Sequence, residues 1–451
     1  MAGGRAARPP APRVGRAAYD RVVEASAQRG LVSAVAPPGG VLAEAEVAAA
    51  LAEGLGGRFA GQRVLVLVPD HTRTVPLPLL VRHVAACLAD ARAVHFMVAL
   101  GTHPPLPEER LHALLGLRPG EGLLADPRVS VSNHAWYEPG TLTSVGVIPQ
   151  AEVRATAGER WHPTLGGDVD VLINRAVLEH DHVLVVGPVF PHEVVGYSGG
   201  AKYLFPGVSG KDVIDVTHWL GALAGVRRTI GVKDTPVRAL IHAAAGRVPT
   251  PVTLTAVVVD GSDLAGVFVG DLVGAWSAAA DLSAQRHVRW VERPFREILS
   301  CAAPMYDELW TAAKAAYKLE PALAEGGELI VYAPHLSELS TVHGHHIREV
   351  GYHVLPYLLH HWDRYKHLPL GVLAHSTHVR GDGDVDPVTG AELPRARVTL
   401  ASRIPREECE ALGLGYRDPD TIDPERWAGR EDEGVLLVRK AGEVLYRVRE
   451  G

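Results

Sequence analysis

Short apolar runs of strand length recur along the first half of the chain, each followed by a loop and a stretch whose apolar positions have helical spacing. RVLVLVP at 63–69 precedes a loop and LPLLVRHVAACLAD, VHFMVALG at 94–101 precedes a loop and PEERLHALLG, and HVLVVGPVF at 182–190 precedes a glycine-rich loop and a periodic segment over 210–223. Uninterrupted apolar strands alternating with amphipathic helices predict an α/β fold with a mostly parallel sheet covered by helices. In open sheets of this kind ligands bind beyond the carboxyl ends of the strands. The loops at 69–76, 101–107 and 190–207 are therefore where chemistry is expected.

After about residue 250 the pattern changes. TLTAVVVD (253–260) and GVFVGD (266–271) read as a hairpin, and 272–290 as a helix. A second α/β block comes next: a helix over DELWTAAKAAYKLEPALAEG, the strand ELIVYAP (328–334), a histidine-rich region at 335–378 and a last strand pair in GVLLVRKAGEVLYRV (434–448). This predicts two α/β domains with a cleft between them, 19–280 and 281–451. Residues 1–18 (MAGGRAARPPAPRVGRAA) lack the apolar region of a secretory signal and are expected to form a disordered extension.

Composition narrows the classes. At 451 residues, with 47% hydrophobic and 22% charged, the chain is an ordinary globular protein with room for two large domains. A balance of 45 Lys+Arg against 52 Asp+Glu, net −7, gives no electrostatic case for a nucleic-acid or anionic-membrane partner. No run reaches the ~18 apolar residues of a bilayer span. Cys87, Cys301 and Cys409 are widely spaced, which argues for a reducing cytoplasm and against a thiolate metal site. The 23 histidines and 47 glycines are the unusual feature, because histidine is the usual acid/base and metal-ligand side chain.

Four loops or turns carry candidate chemistry. The first is Asp70-His71-Thr72-Arg73-Thr74-Val75-Pro76, between a strand and a helix. There the helix N-terminus, the Thr hydroxyls and Arg73 can grip a carboxylate or phosphate. The second, Gly101-Thr102-His103-Pro104, puts His103 just past a strand end. The third runs from Pro191 and His192 through Gly199 and Gly200 to Lys202, Pro206 and Gly207. It matches neither GxxxxGK[ST] nor GxGxxG after a strand. A lysine held among glycines can be a phosphate clamp, a Schiff-base nucleophile or a covalent cofactor anchor. His218 lies beyond it on a segment of helical periodicity, and Trp310-Thr311-Ala312-Ala313-Lys314 sits on a helix in the second block. His343, His345, His346, His375 and His378 have no metal-binding spacing and are expected at the surface.

Taken in order, these elements resemble the nickel-pincer-nucleotide lactate racemase family. The colinear match runs from about residue 60 to 330: DHTRTVP, the THPP loop, H…GYSGGAKYLFPG, His218 at the family's spacing from Lys202, and a Pro304-to-Lys314 segment ending in the helix lysine. The resemblance implies a 2-hydroxy-acid racemase or epimerase with a nickel pincer nucleotide tethered to Lys202 and nickel bound by His218. It further implies His103 and His192 as alternate bases and Arg73 and Lys314 as carboxylate-binding cations, with cofactor-synthesis enzymes as maturation partners. Asp70, Thr72, Gly199 and Gly200 would lie against the cofactor, and Trp310 and Thr311 against the substrate. On this reading 19–280 binds the cofactor and 281–451 closes over the substrate. Departures touch the substrate wall. Trp310-Thr311 stands where lactate racemase carries Tyr-Gln, Ala201 replaces an Arg, and PHLSELSTVHGHH replaces the DGHGG loop. A larger or more polar acid than lactate, such as a sugar acid, is expected. The alternatives are a non-catalytic binder of an anionic metabolite that retains the loops and, less favoured without a dinucleotide fingerprint, an NAD-dependent dehydrogenase.

Overall fold

A computed structural model describes residues 30–101 and 103–449, so the extension expected over 1–18 lies outside the described residues. The first sheet contains β1 (Val32–Val35), β2 (Arg63–Val68), β3 (Ala93–Val98), β4 (Val129–Asn133), β5 (His182–Pro188), β6 (Val252–Asp260) and β7 (Asp263–Gly270). Their order across the sheet is β1-β7-β6-β5-β2-β3-β4. The five strands from β6 to β4 are parallel, and the hairpin partner β7 and edge strand β1 are antiparallel. Val64 to Val68 of β2 are essentially inaccessible, as expected of a strand covered on both faces. The chain runs from β2 outward to β3 and β4, then returns to lay β5 on the other side of β2. That reversal makes the β2/β5 boundary a topological switch point, and the loops after both strands open into one crevice.

The second sheet is wholly parallel: β8 (Phe295–Ala302), β9 (Leu323–Ala333), β10 (Arg397–Ser402), β11 (Gly415–Tyr416) and β12 (Val435–Ala441), in the order β11-β10-β9-β8-β12. Here the reversal falls between β8 and β12, so the loop carrying Trp310 and Lys314 and the turn at Gly442–Val444 leave this sheet's switch point. The two switch points face each other. Thr74 N donates to Glu443 Oε1 at 2.9 Å, and Lys314 Nζ donates to Thr72 Oγ1 at 2.9 Å. Exposed Asp307 also bonds His71 at 3.0 Å and Arg110 at 3.1 Å, contacts of the kind that contribute little energy.

Three expected elements differ. The single helix over 307–326 is instead two short turns, Leu309–Ala312 and Lys314–Tyr317, a 3-10 turn at Glu320–Ala322, and the early start of β9 at Leu323. Pro321 cannot continue an α-helix, and pairing with β8 claims the residues from Leu323 onward. The expected helix over 272–290 spans Gly274–His287; Val288–Val291 instead pairs in parallel with Leu445–Val448. The terminal strands thus do not pair with each other, because Val435–Ala441 joins β8 and Leu445–Val448 joins Val288–Val291. In both places long-range pairing overrides the local pattern.

One close approach ties the lysine loop to the first sheet. A Cβ at Gly187 on β5 would stand 1.7 Å from the Tyr203 hydroxyl. Tyr203 could not lie across the strand if that position carried a side chain. Gly187→Ala is expected to lower the urea midpoint by an amount equivalent to roughly 1–3 kcal/mol; an unchanged midpoint would contradict this packing.

Candidate active site

The β2, β3 and β5 loops meet the β8 loop and the helix Leu370–Arg380 around a cleft of about 940 Å³, part of it open to solvent. Asp70, Arg73, His103, His192, Gly199, Lys202, His218, Trp310 and Lys314 line it, so nine of the sequence-selected positions converge. Thr72, Gly200 and Thr311 do not line it. Thr72 lies behind Asp70, and Thr311 is buried with its hydroxyl donating to Glu308 O at 3.0 Å.

His103 is held by Asp70, whose Oδ2 bonds Nδ1 of the ring. Asp70 Oδ1 accepts from Thr72 N at 3.1 Å and Thr72 Oγ1 at 2.8 Å, and Thr72 Oγ1 in turn accepts from Lys314 Nζ. An ionised Asp70 can only accept, so it keeps the His103 proton on Nδ1 and leaves Nε2 as a basic lone pair. Burial would raise the Asp70 pKa, but His103, Lys314 and the Thr72 bond hold it far below the usual carboxylate range. Burial also pushes His103 below its ordinary value against the pull of Asp70.

His192 has a matching arrangement. Its Nδ1 is 3.2 Å from the Val194 amide, which donates to it, and 3.2 Å from Oε2 of Glu193. A proton on Nδ1 has the carboxylate as acceptor, whereas a bare Nδ1 has the amide as donor. Both tautomers are therefore supported, and Nε2 can act as base or acid. Burial and then the nearby Glu193 carboxylate hold the Tyr317 phenol well above its ordinary pKa. Sequence reasoning passed over Glu193 and Tyr317, although Glu193 adjoins His192 and Tyr317 lies one turn after Lys314. Because β2 stands between β3 and β5, His103 and His192 leave strands on either side of the strand whose loop carries Arg73.

Arg73 makes no ion pair with any described residue, so its guanidinium is available to an anion. Lys202 rests on a rigid turn. Gly199 (φ 77°) and Gly200 (φ 61°) have left-handed backbones that favour glycine, and a Cβ at Gly200 would meet Trp276 at 2.9 Å. Trp276 Nε1 donates to Ser198 O at 2.9 Å, and the buried Arg238 donates to the carbonyls of Tyr197 and Gly199. Gly200 therefore shapes the turn, and Gly199 both shapes it and lines the cleft. Burial, then the nearby Arg73, brings the Lys202 ammonium down to about 8, so a minor neutral fraction exists near neutral pH.

His218 sits on the helix Lys211–Ala224 with Nδ1 2.6 Å from Ile214 O. That bond places the proton on Nδ1 and leaves Nε2 as a metal-ligand lone pair with a fixed ring orientation. Burial, then Lys202, lowers its pKa to about 4, so the ring is neutral as a ligand must be. Among the described residues no group of three His, Cys, Asp or Glu side chains is placed to hold a metal ion.

His375 and His378 are not surface residues: they are 8% and 3% exposed and line the cleft. Their helix is uncharged from Leu370 to Val379 and buried from Gly371 to Val379, docked by Asp215 Oδ1 accepting from Gly371 N at 3.0 Å. Burial holds His192 and His375 well below 6.5 and brings His218 and His378 to about 4. In the unfolded chain they titrate near 6.5. Below that pH the unfolded state binds more protons, so stability that is full above 6.5 is lost as pH falls toward 4. The urea midpoint is expected to drop steeply from about pH 7 to about pH 5, with a shallower slope in His378→Phe. A level midpoint over that range would contradict the buried neutral rings.

The model of the lactate racemase N-terminal domain matches residues 43–153 and 164–231. Lactate racemase of Lactiplantibacillus plantarum is 23% identical over 276 residues, covering 60% of this chain and 59% of that protein. Lactate racemase of Thermoanaerobacterium thermosaccharolyticum is 25% identical over 189 residues, covering 41% and 39%. The chain thus matches about three fifths or less of the length of these curated relatives. A crystal structure of a Thermotoga maritima protein from structural genomics superposes with TM-score 0.82 at 31% identity, covering 90% of this chain and 99% of that one. The lactate racemase apoprotein of T. thermosaccharolyticum shares the fold with TM-score 0.64 at 17% identity, with 89% of each chain covered. Residues 43–153 and 164–231 thus match the lactate racemase N-terminal domain, and the chain is similar to lactate racemases.

Proposed function

We propose that the protein is a racemase or epimerase that inverts C2 of a 2-hydroxy acid. The observation that carries this reading is the pair of histidine–carboxylate couples, His103 with Asp70 and His192 with Glu193, on loops flanking an arginine with no ion-pair partner. Inversion needs one acid/base group for each face of C2 and a carboxylate held still between them. Arg73 and Lys314, brought from the two sheets, would bind that carboxylate. His103 Nε2, kept basic by Asp70, would take the hydroxyl proton on one face. His192 Nε2, with a partner for either tautomer, would return a proton on the other. A substrate entering in the opposite configuration reverses these roles.

The nickel pincer nucleotide implied by the resemblance would be held by Lys202 as tether and His218 as protein ligand. When bound, it supplies reversible acceptance of hydride from the substrate α-carbon. The low-pKa amine of Lys202 and the Nε2 lone pair of His218 suit those two tasks, and the amide-rich loop ends suit an anionic cofactor. On this reading the expected unit 19–280, described from residue 30, would bind the cofactor and 281–451, described to residue 449, would close over substrate. The unpaired thiols of Cys87, Cys301 and Cys409 fit a cytoplasmic setting, where cofactor-synthesis enzymes would act as maturation partners.

Protein coexpressed with cofactor-synthesis enzymes is expected to carry a mass adduct on Lys202, absent from Lys202→Ala. An unmodified Lys202, under conditions that load a known family member, overturns the reading. His103→Ala and His192→Ala should keep the adduct and lose about 10²–10⁴-fold in turnover in both directions. Glu193→Gln should keep the adduct and shift the pH profile of kcat, because the Nδ1 proton of His192 loses its carboxylate; an unshifted profile would assign Glu193 a structural role only.

A further inference from the structure

Arg73 lies between two threonines, and the second unit holds each of them. On one side Lys314 Nζ donates to Thr72 Oγ1 at 2.9 Å, and on the other Glu443 Oε1 accepts from Thr74 N at 2.9 Å. The first contact belongs to the chain of bonds that ends on His103, whereas the second has no part in the acid/base roles above. Glu443 comes from the turn after β12, where Gly442 (φ 117°) passes so close to Tyr306 that a Cβ would stand 2.1 Å from the phenol oxygen. Supporting this turn is Lys318, 1% exposed and four residues beyond Lys314. Its main-chain oxygen accepts from Tyr446 N at 3.0 Å, and its Nζ donates to Glu443 O at 3.5 Å and lies 5.8 Å from the centre of the Phe190 ring, two residues before His192. Among the described residues Lys318 makes no ion pair. Burying an ammonium on those terms is costly, and none of the acid/base or carboxylate-binding roles above uses it. What its position supplies is a fixed attachment for the Glu443 turn, and through Glu443 for the main chain next to Arg73.

We propose that Glu443 and Lys318 are positioning residues for Arg73, bracing the β2 loop at the tilt where its guanidinium meets a carboxylate. This rests on the reading of Arg73 as a carboxylate-binding cation and adds the residues that aim it. A guanidinium–carboxylate pair is directional, so a loop released on one side of Arg73 loses affinity for the anion without losing charge. Glu443 acts through one accepting oxygen, which a glutamine amide also offers.

The test is calorimetric titration of the full chain with oxalate, a small planar dianion that an arginine can grip without any turnover. Arg73→Ala is expected to weaken oxalate binding by about 10–10²-fold. Glu443→Ala and Lys318→Met should each raise Kd by about fivefold or more. Glu443→Gln keeps the accepting oxygen and should return Kd to within about twofold of the starting protein. A merely structural role would lower the fraction of binding-competent chain and leave Kd unchanged, so stoichiometry and Kd separate the two, and the urea midpoint confirms that each variant is folded. An unchanged Kd in Glu443→Ala or in Lys318→Met overturns the brace and leaves the functional reading standing. Glu443→Gln binding as weakly as Glu443→Ala does the same, because charge and not the bond to Thr74 would then be at work. Oxalate affinity that is unchanged in Arg73→Ala, or absent from the starting protein, overturns the carboxylate-binding reading and the brace with it.

Discussion

The buried hydrogen-bond chain from Lys314 through Thr72 and Asp70 to His103 is the constraint on which the site depends. Each link has one polarity. The ammonium donates to the Thr72 hydroxyl, the hydroxyl donates to the Asp70 carboxylate, and the carboxylate can only accept from the imidazole. The chain therefore fixes a tautomer on the first sheet by means of a cation from the second. Three residues along the same turn, Tyr317 lines the cleft with Glu193, whose carboxylate pairs with His192. One short helical turn, Lys314–Tyr317, thus reaches both histidine–carboxylate couples.

Two chain reversals make this possible. Each parallel sheet changes winding direction once, at β2/β5 in the first and at β8/β12 in the second, and the loops from both reversals meet in the cleft. The first sheet presents the histidines, Arg73 and the lysine turn on rigid strand ends. The second sheet presents Lys314, Trp310 and the buried helix bearing His375 and His378. Opening the interface would break the Lys314–Thr72 bond, so the polar chain that orients His103 depends on both sheets.

Much of the site was legible in the sequence because its residues lie just beyond uninterrupted apolar strands. Asp70, Arg73, His103 and His192 come within five residues of the ends of β2, β3 and β5, Lys202 follows in the loop after β5, and parallel topology gathers such loops at one edge. His375 and His378 were not legible by that route. They reach the cleft from a helix far along the chain, and their spacing resembled that of exposed histidines; the clue was the absence of any charge between Lys366 and Arg380. The broken helix at 307–326 and the divergent terminal strands failed for another reason. Pairing with β8 from Leu323 onward decided the first and pairing with partners more than a hundred residues away decided the others, and periodicity within a short window carries no record of either.

The central claim is that these facing loops invert C2 with the hydrogen passing as hydride and only the hydroxyl proton passing through histidine. The most direct measurement is inversion of a single enantiomer of a C2-deuterated 2-hydroxy acid by Lys202-loaded enzyme in ordinary water, tracked by NMR and mass spectrometry. The account predicts inverted product that retains deuterium at C2. Inverted product carrying solvent hydrogen at C2 would contradict it.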